Sequence, residues 1–199
     1  MSASNSLYQE IEQDIWKWIN EFVTVPNEFY NFKFPPCPFA RQAVMAKTVD
    51  VKAWRSGDVR AFIRAGAMGM RDNPDLTTRV LAFPPRVELQ TGINAFVDSF
   101  NEKMIPDNVF MNTGVARTTS SRYPGPDFKK PYFIVVANSL APVLDGCETL
   151  KRTQYYKDWP KEHYGIVVER RARMAEQFGR KEEPKDEKPT EAPAETASK

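Results

Sequence analysis

The sequence predicts an α+β fold: an α/β sandwich in which a four-stranded mixed sheet carries helices mainly on one face, as in ferredoxin-like folds. Segments whose apolar residues recur at three- and four-residue steps alternate along the chain with short β-type segments. Strands joined by a helix favour parallel, right-handed crossovers, whereas the last two strand-like segments have no helix between them and favour antiparallel pairing. A chain of 199 residues is long enough to bury a sizeable core.

The N-terminal part predicts one helix followed by an irregular segment. The helix is indicated by apolar residues that share one face, namely Leu7, Ile11, Ile15, Trp18, Ile19 and Phe22. Ser6 and Gln9 stand in capping-box register at its start, and Pro26 ends it. The segment from Val25 to Pro38 contains too many prolines for a central strand and too many aromatic residues for a loose linker. We expect it to pack over the domain.

The central part alternates strands and helices. The predicted elements are a strand from Ala43 to Val51, a helix from Asp58 to Arg71, a strand from Arg79 to Phe83, a helix carrying Ile93 to Met104, and strands from Val109 to Ala116 and from Tyr132 to Ala137. The last of these is a continuous apolar run, which is typical of a strand buried on both faces. Gly66 and Gly69 each weaken their helix by about 1 kcal/mol relative to alanine. Close packing against a neighbour is the usual compensation.

The C-terminal part predicts two helices and a tail. A short helix spans Val143 to Lys151, and a final helix opens at Trp159-Pro160, with Gly179 as its C-cap. Residues 181–199 contain no aromatic residue and no Val, Ile, Leu or Met. Such a segment cannot bury enough apolar surface to offset its ordering entropy. The sequence therefore predicts one globular domain over residues 1–180 and a disordered tail over residues 181–199.

Composition excludes several classes of protein. The chain has 28 Lys and Arg against 26 Asp and Glu, a near-neutral balance that argues against a nucleic-acid wrapper. No apolar run approaches the roughly 18 residues of a membrane helix, and the polar start does not resemble a secretory signal. Two cysteines do not form a disulfide framework. We therefore expect a soluble, cytoplasmic protein without a membrane partner.

Cys37 is a candidate catalytic thiol. Proline lies on both sides of it, and if Pro38 opens a helical turn, Cys37 occupies the N-cap of that turn. The helix dipole would then favour the thiolate, and Arg41 could add a positive charge. The alternative is that Cys37 is a small buried residue pinned under the aromatic segment.

The long loop from Arg117 to Lys130 is a candidate anion-binding site. Its cations, hydroxyls and glycine suit a phosphate or a carboxylate, although no Walker-type or dinucleotide glycine pattern is present. The candidate ligand-binding residues are Arg41 beside Cys37 and, in the loop, Arg117, Arg122, Tyr123 and Asp127. The alternative is a solvated connection without a ligand.

The remaining candidate residues are interpreted as surface residues without a catalytic or metal-binding role. His163 lies in the first turn of the predicted final helix, where a positive imidazole is disfavoured, so we interpret it as a surface or interface residue. One histidine and two separated cysteines do not supply the usual metal ligands, so the sequence indicates no metal site and no cofactor. The final helix also carries the cluster Arg170-Arg171-Ala172-Arg173, together with several glutamates. We interpret this cluster as a solvated helix face rather than a nucleic-acid contact.

The chain resembles a bacterial family of unknown function that is marked by a Cys-Pro-Phe-Ala motif. The motif is Cys37-Pro38-Phe39-Ala40, followed by the basic residue Arg41 and preceded by a tryptophan-containing helix. Weaker correspondences are Val80 to Pro84, Phe96 to Asn101, and Pro131-Tyr132. The family carries a His-Pro pair in the loop after its third strand, whereas this chain has no histidine there. The resemblance implies a shared role for Cys37 to Arg41 and brings no reaction with it.

Three functions remain open from the sequence. The first is a binding or accessory domain that recognises a small anionic ligand or a protein partner through the Cys37 and Arg117–Lys130 loops. The second is a structural or assembly component of a larger complex. The third is a thiol-dependent enzyme with Cys37 as nucleophile.

Overall fold

The computed structural model describes residues 3–28, 32–84, 90–116, 119–120, 123–124 and 131–179. The elements follow in the order α1 (Ala3–Trp18), α2 (Pro38–Met45), β1 (Val49–Ala53), α3 (Val59–Arg71), β2 (Thr78–Phe83), α4 (Gln90–Met104), β3 (Val109–Ala116), β4 (Thr119–Ser120), β5 (Tyr123–Pro124), β6 (Tyr132–Ser139), α5 (Leu140–Lys151), α6 (Lys161–Tyr164) and α7 (Arg170–Phe178). A π-helical segment, Ile19–Val23, continues α1, and a second, Gly165–Glu169, joins α6 to α7.

The central sheet has four strands in the order β1-β2-β6-β3. β1 and β2 are parallel, and β6 is antiparallel to both of its neighbours. The predicted α+β class, the four-stranded mixed sheet and the antiparallel pairing of the last two long strands are therefore confirmed. β6 lies between β2 and β3, so the unit formed by β2, α4 and β3 is a split βαβ unit.

Helices pack on both faces of the sheet, whereas the sequence predicted them mainly on one face. Successive side chains of a strand point to opposite faces, and here both sets are apolar and need a cover. The two crossover helices, α3 and α4, share one face and pack on alternate residues of β2, β3 and β6, among them Leu81 and Val135. α1 covers the opposite face, where it packs on Val80 and Ile134. The expectation that β6 is buried on both faces is confirmed, since its residues belong to both cores.

The segment predicted as a strand from Ala43 to Val51 differs from the structure. Helix α2 occupies Pro38–Met45, and β1 begins only at Val49. Pro38 stands in the first turn of α2, where its fixed φ favours the helix, and Cys37 is the N-cap. The alternation of apolar residues in this segment predicts a strand, but the helix start at Pro38 outweighs it. α1 likewise begins at Ala3, upstream of the predicted Ser6 cap.

Gly66 and Gly69 are explained by close packing, as predicted. A Cβ added at Gly66 would lie 2.6 Å from Cδ1 of Leu81, and one added at Gly69 would lie 2.3 Å from Nη1 of Arg79. The absence of both Cβ atoms lets α3 approach β2 closely. Arg79 uses this approach to donate to the carbonyl oxygen of Gly66 at 3.1 Å and to Asp50 at 2.9 Å.

Two predicted regions fall largely outside the described residues. The tail over residues 181–199 is one, and the loop from Arg117 to Lys130 is the other, apart from the short pairing of β4 with β5. Among the helices described, none combines the length and the apolar character that a membrane crossing requires.

Candidate functional site

The Cys37 segment contacts both the end of the first helical segment and the turn that follows α5. The backbone N–H of Cys37 donates to the carbonyl oxygen of Val23 at 3.1 Å, and Tyr155 donates its hydroxyl hydrogen to the carbonyl oxygen of Pro36. The ring of Phe34 meets that of Tyr155 edge to face, with centroids 5.6 Å apart. For this part of the segment, the expectation that it packs over the domain is confirmed.

Phe39 makes a close contact between α2 and α5. A Cβ added at Gly146 would lie only 2.0 Å from Cε1 of the Phe39 ring, so the ring lies directly against the backbone of α5. This contact places Cys37 beside Cys147, the residue that follows Gly146. The two thiols are close enough to influence each other electrostatically.

Both cysteines belong to one cluster, which we call the thiol cluster: Cys37, Cys147, Tyr156 and Arg171. Cys147 and Arg171 are buried, and Cys37 and Tyr156 are half-buried. Arg171 is only 7% exposed, so the predicted solvated face is wrong for this residue, and its Nη1 donates to Sγ of Cys147 at 3.6 Å. Its guanidinium also lies 5.5 Å from the centroid of the Phe110 ring. No carboxylate lies within ion-pair distance of Arg171 in the part of the chain that the structure describes.

The environment of Cys37 favours the neutral thiol. Burial raises the pKa of Cys37, and this effect outweighs the backbone N–H groups of Ala40 and Phe39 and the positive charge of Arg171, which lower it. The side chain makes no capping hydrogen bond to the first turn of α2, although it stands at the N-cap. Arg41, proposed from the sequence as the nearby cation, is exposed, and the charge that acts on the thiol is that of Arg171.

Tyr156 connects the thiol cluster with an open pocket. Burial raises the pKa of Tyr156, and a hydrogen bond to Cys147 raises it further, so its hydroxyl stays protonated. The same side chain lines a pocket of about 540 Å³, a volume within the range of small-molecule sites. We call it the aromatic–lysine pocket, and its lining residues are Lys151, Tyr156, Trp159, Lys161, Tyr164 and Glu169.

The rings of this pocket form a packed cluster. The ring centroids of Tyr156 and Trp159 are 5.1 Å apart, and those of Tyr156 and Tyr164 are 5.2 Å apart, both close to perpendicular. Edge-to-face contacts of this kind fix the orientation of aromatic side chains. The rings therefore form a preorganised apolar wall.

A π-helical turn borders the same pocket. Tyr164 ends α6 immediately before the π segment Gly165–Glu169, and Glu169 is the last residue of that segment. Single π turns inside α-helices are uncommon and occur frequently at functional sites. A π-helix pairs residues that are five positions apart, and Tyr164 and Glu169 have this separation. Both residues therefore line the pocket.

The charges at the pocket leave one free ammonium group. Nζ of Lys151 lies 2.5 Å from Oε1 of Glu148, and Oε2 of Glu169 lies 3.7 Å from Nη1 of Arg173. Lys161 has no ion-pair partner in the described ranges. The pocket therefore offers an unneutralised cation next to its aromatic wall.

His163 lies beside the pocket rather than in it. Its ring centroid is 4.5 Å from that of Trp159, and partial burial lowers the pKa of the imidazole. As the sequence predicted, it stands in the first turn of the final helical segment. No group of three or more potential metal ligands occurs in the described ranges.

The structure does not place the candidate ligand-binding residues of the Arg117–Lys130 loop at this site. Arg117, Arg122 and Asp127 lie outside the described residues, and only the backbone of Tyr123 is described. The ends of this loop are fixed at the Ala116–Tyr132 end of the β3–β6 pair. The other end of the pair, at Ser139, leads into α5 and Cys147. The two predicted loops are thus attached at opposite ends of the sheet.

Sequence reasoning missed Tyr156, Trp159, Lys161 and Arg171. The turn between α5 and α6 has no helical or strand periodicity, so the sequence pattern predicts no element there. A signal was present nonetheless, because aromatic residues and lysines alternate closely from Lys151 to Tyr164.

Comparison with family models, with curated proteins and with solved structures found no match to this chain. The resemblance to the Cys-Pro-Phe-Ala family stays a prediction.

Proposed function

We propose that this protein is a binding domain that recognises a small anionic ligand with a planar apolar body in the aromatic–lysine pocket. The observation that carries the proposal is the free ammonium group of Lys161 beside the rings of Tyr156, Trp159 and Tyr164. The proposal keeps the ligand class expected from the sequence and moves the binding residues from the Arg117–Lys130 loop to the segment between Lys151 and Glu169.

The chemistry of the lining supports an anion rather than a cation. Aromatic rings alone would suit a quaternary ammonium group, because the ring faces carry negative potential. Lys161 opposes such a ligand by like-charge repulsion, whereas it attracts a carboxylate or a phosphate. Lys151 adds less to this preference because Glu148 already pairs with it. The rings then cover the apolar body of the ligand and remove it from water.

Binding rather than thiol catalysis is favoured by the state of Cys37. A thiol must ionise to act as a nucleophile, and the raised pKa of Cys37 lowers its thiolate fraction at neutral pH. The thiol-dependent enzyme and the assembly component both stay predictions from the sequence.

A matched pair of probes tests the proposal. We would titrate the folded protein with 1-naphthoate and with 1-naphthylmethylammonium, which share a ring system and differ in charge, and follow binding by chemical-shift changes of backbone amides. We expect 1-naphthoate to bind more tightly and to shift resonances between residues 151 and 169. Equal affinity for the two probes, or shifts confined to other regions, would refute the proposal.

Two variants locate the site. Lys161→Ala should weaken 1-naphthoate binding by up to about fivefold, the scale of an exposed charge interaction, and should make binding less sensitive to salt. Trp159→Leu should weaken both probes. Lys157→Ala is the control, because Lys157 is exposed on the same turn and does not line the pocket.

A further inference from the structure

A second cavity, distinct from the aromatic–lysine pocket, lies near the other end of α5. Its volume is about 210 Å³, and its wall includes Pro142 and Val143 in the first turn of α5. Lys151, which lines the aromatic–lysine pocket, is the last residue of the same helix. Nine residues of α-helix between Pro142 and Lys151 span about 13 Å.

The floor of this cavity is formed by residues at the start of β1 and β2 and at the end of β6. Thr48 and Thr77 directly precede β1 and β2, Thr78 is the first residue of β2, and Asn138 and Ser139 end β6. The N–H groups of Thr77 and Thr78 both donate to the carbonyl oxygen of Thr48, at 3.0 and 3.2 Å. These backbone bonds fix the polar side chains on rigid elements, a condition for a precise binding site.

Every side chain that lines the cavity is uncharged. Its polar groups are threonine and serine hydroxyls and the amides of Gln42 and Asn138. An ionic ligand would find no counter-charge here and would lose its hydration, which is costly in a partly enclosed site. The chemistry therefore selects a neutral ligand.

Some of the polar groups on the floor already have hydrogen-bond partners. The hydroxyls of Thr48 and Thr77 bond to each other at 2.6 Å, and each also lies within hydrogen-bond distance of a backbone carbonyl oxygen. The capacity left for a ligand therefore lies mainly on Asn138 and Ser139.

Thr78 donates to Oδ1 of Asn138 at 3.1 Å, which leaves the Nδ2 hydrogens of Asn138 without an acceptor among the described residues. Ser139 donates to the carbonyl oxygen of Leu76 at 3.4 Å, so its oxygen retains lone pairs that can accept. Donor and acceptor groups thus lie side by side, as a hydroxyl-rich ligand requires.

Phe39 supplies an apolar wall on one side of the same cavity. Its ring is held against Gly146, so its position is fixed by the α2–α5 contact. Ala43, Ala46, Pro142 and Val143 add further apolar surface to the lining. A cavity with apolar walls beside a few hydroxyl and amide groups matches a compound that has C–H groups on its faces and hydroxyls on its rim.

We propose that this cavity binds a small neutral polyhydroxyl compound, such as a sugar or a cyclic polyol, with its hydroxyls on Asn138 and Ser139 and its C–H face on Phe39. This site is independent of the anion site in the proposed function. Either site can therefore fail its test without affecting the other.

The test uses the full chain and three probes: glucose, myo-inositol and glucuronate, the charged counterpart of glucose. Binding is followed by chemical-shift changes of backbone amides. We expect glucose or myo-inositol to shift the amides of Thr48, Thr78 and Ser139, and glucuronate to bind more weakly than glucose. The proposal is overturned if neither neutral probe shifts these amides, or if glucuronate binds as tightly as glucose.

Two variants make the test specific. Asn138→Asp keeps the acceptor for Thr78 but removes the free amide hydrogens, and it should weaken the neutral probe by about tenfold. Gln42→Ala, at an exposed position of α2, should weaken it without altering the fold and serves if the aspartate variant does not fold. Asn112→Asp on β3 is the control. Affinity that none of the cavity variants changes would overturn the proposal.

Discussion

The side chain of Asn101 on α4 forms two hydrogen bonds with the backbone of Met111 on β3. Its Nδ2 donates to the carbonyl oxygen of Met111 at 2.9 Å, and the N–H of Met111 donates to its Oδ1 at 2.8 Å. Because β3 is an edge strand, these backbone groups have no neighbouring strand to pair with. On the opposite edge, Glu12 on α1 accepts from the N–H of Ala53 at 3.0 Å. Helix side chains thus satisfy backbone groups on both edges of the sheet.

The first prediction concerns this Asn101 contact. Asn101 is completely buried, so Asn101→Ala leaves both backbone groups of Met111 without partners in a dry environment. We expect a loss of about 2–4 kcal/mol in the free energy of unfolding, measured by urea denaturation. Asn94→Ala, at an exposed position of the same helix, is the control and should change stability by less than about 0.5 kcal/mol. Equal losses in the two variants would contradict this account.

The second prediction concerns Gly66. Alanine is the better helix former by about 1 kcal/mol, but a Cβ at Gly66 would lie 2.6 Å from Leu81, which is itself buried. Overpacking of a core costs typically 1–3 kcal/mol, so we expect Gly66→Ala to lower the midpoint of thermal unfolding. The matched variant is Gly92→Ala on α4, where the nearest atom is 3.6 Å away and the midpoint should rise or stay unchanged. Stabilisation by Gly66→Ala would show that α3 tolerates a wider separation from β2.

Much of the fold was accessible from the sequence because it is encoded locally. The apolar spacing along α1, α3 and α4 follows the helix repeat, and the continuous apolar run of β6 indicates burial on two faces. The prediction of a strand where α2 ends is wrong because the apolar residues there also fit a strand alternation. The Cys37-Pro38 pair predicts a helical turn but does not show how far the helix continues.

The candidate site was less accessible, because it is assembled from residues that are distant in the sequence. The proximity of Cys37 to Cys147 depends on the contact of Phe39 with Gly146, and no local pattern reports such a contact. The burial of Arg171 could not be predicted from the sequence either. Its neighbours Arg170 and Arg173 do form surface ion pairs, with Asp98 and Glu169, so the cluster resembled a solvated face.

The third prediction concerns the reactivity of Cys37. Because burial raises the pKa of this thiol, it carries less thiolate near pH 8 than an unperturbed cysteine does. We expect iodoacetamide to alkylate Cys37 more slowly in the folded protein than in guanidinium chloride, as read by mass spectrometry of the digested peptides. Cys37→Ser, in which only Cys147 can react, is the control that assigns the signal. Faster alkylation of Cys37 in the folded state would instead support the thiol-dependent enzyme.

The fourth prediction concerns the pH dependence of stability through His163. Burial against Trp159 lowers the pKa of the folded imidazole, so between the lowered value and the ordinary value of about 6.5 the unfolded chain binds more protons than the native protein. The free energy of unfolding should therefore fall as the pH drops through about 6.5, and this contribution should level off below the folded pKa. Since the ring is partly exposed, we expect a small slope.

Urea denaturation between about pH 5 and about pH 7.5 measures this slope in the wild-type protein and in His163→Gln. Glutamine does not titrate, so the variant should lose the part of the pH dependence centred near the histidine range while carboxylate titration at lower pH remains. His163 is the only histidine of the chain, so no other imidazole confuses the comparison. A wild-type protein that gains stability on acidification through about pH 6.5 would mean that the folded protein favours the imidazolium, which is inconsistent with the packing of His163 against Trp159.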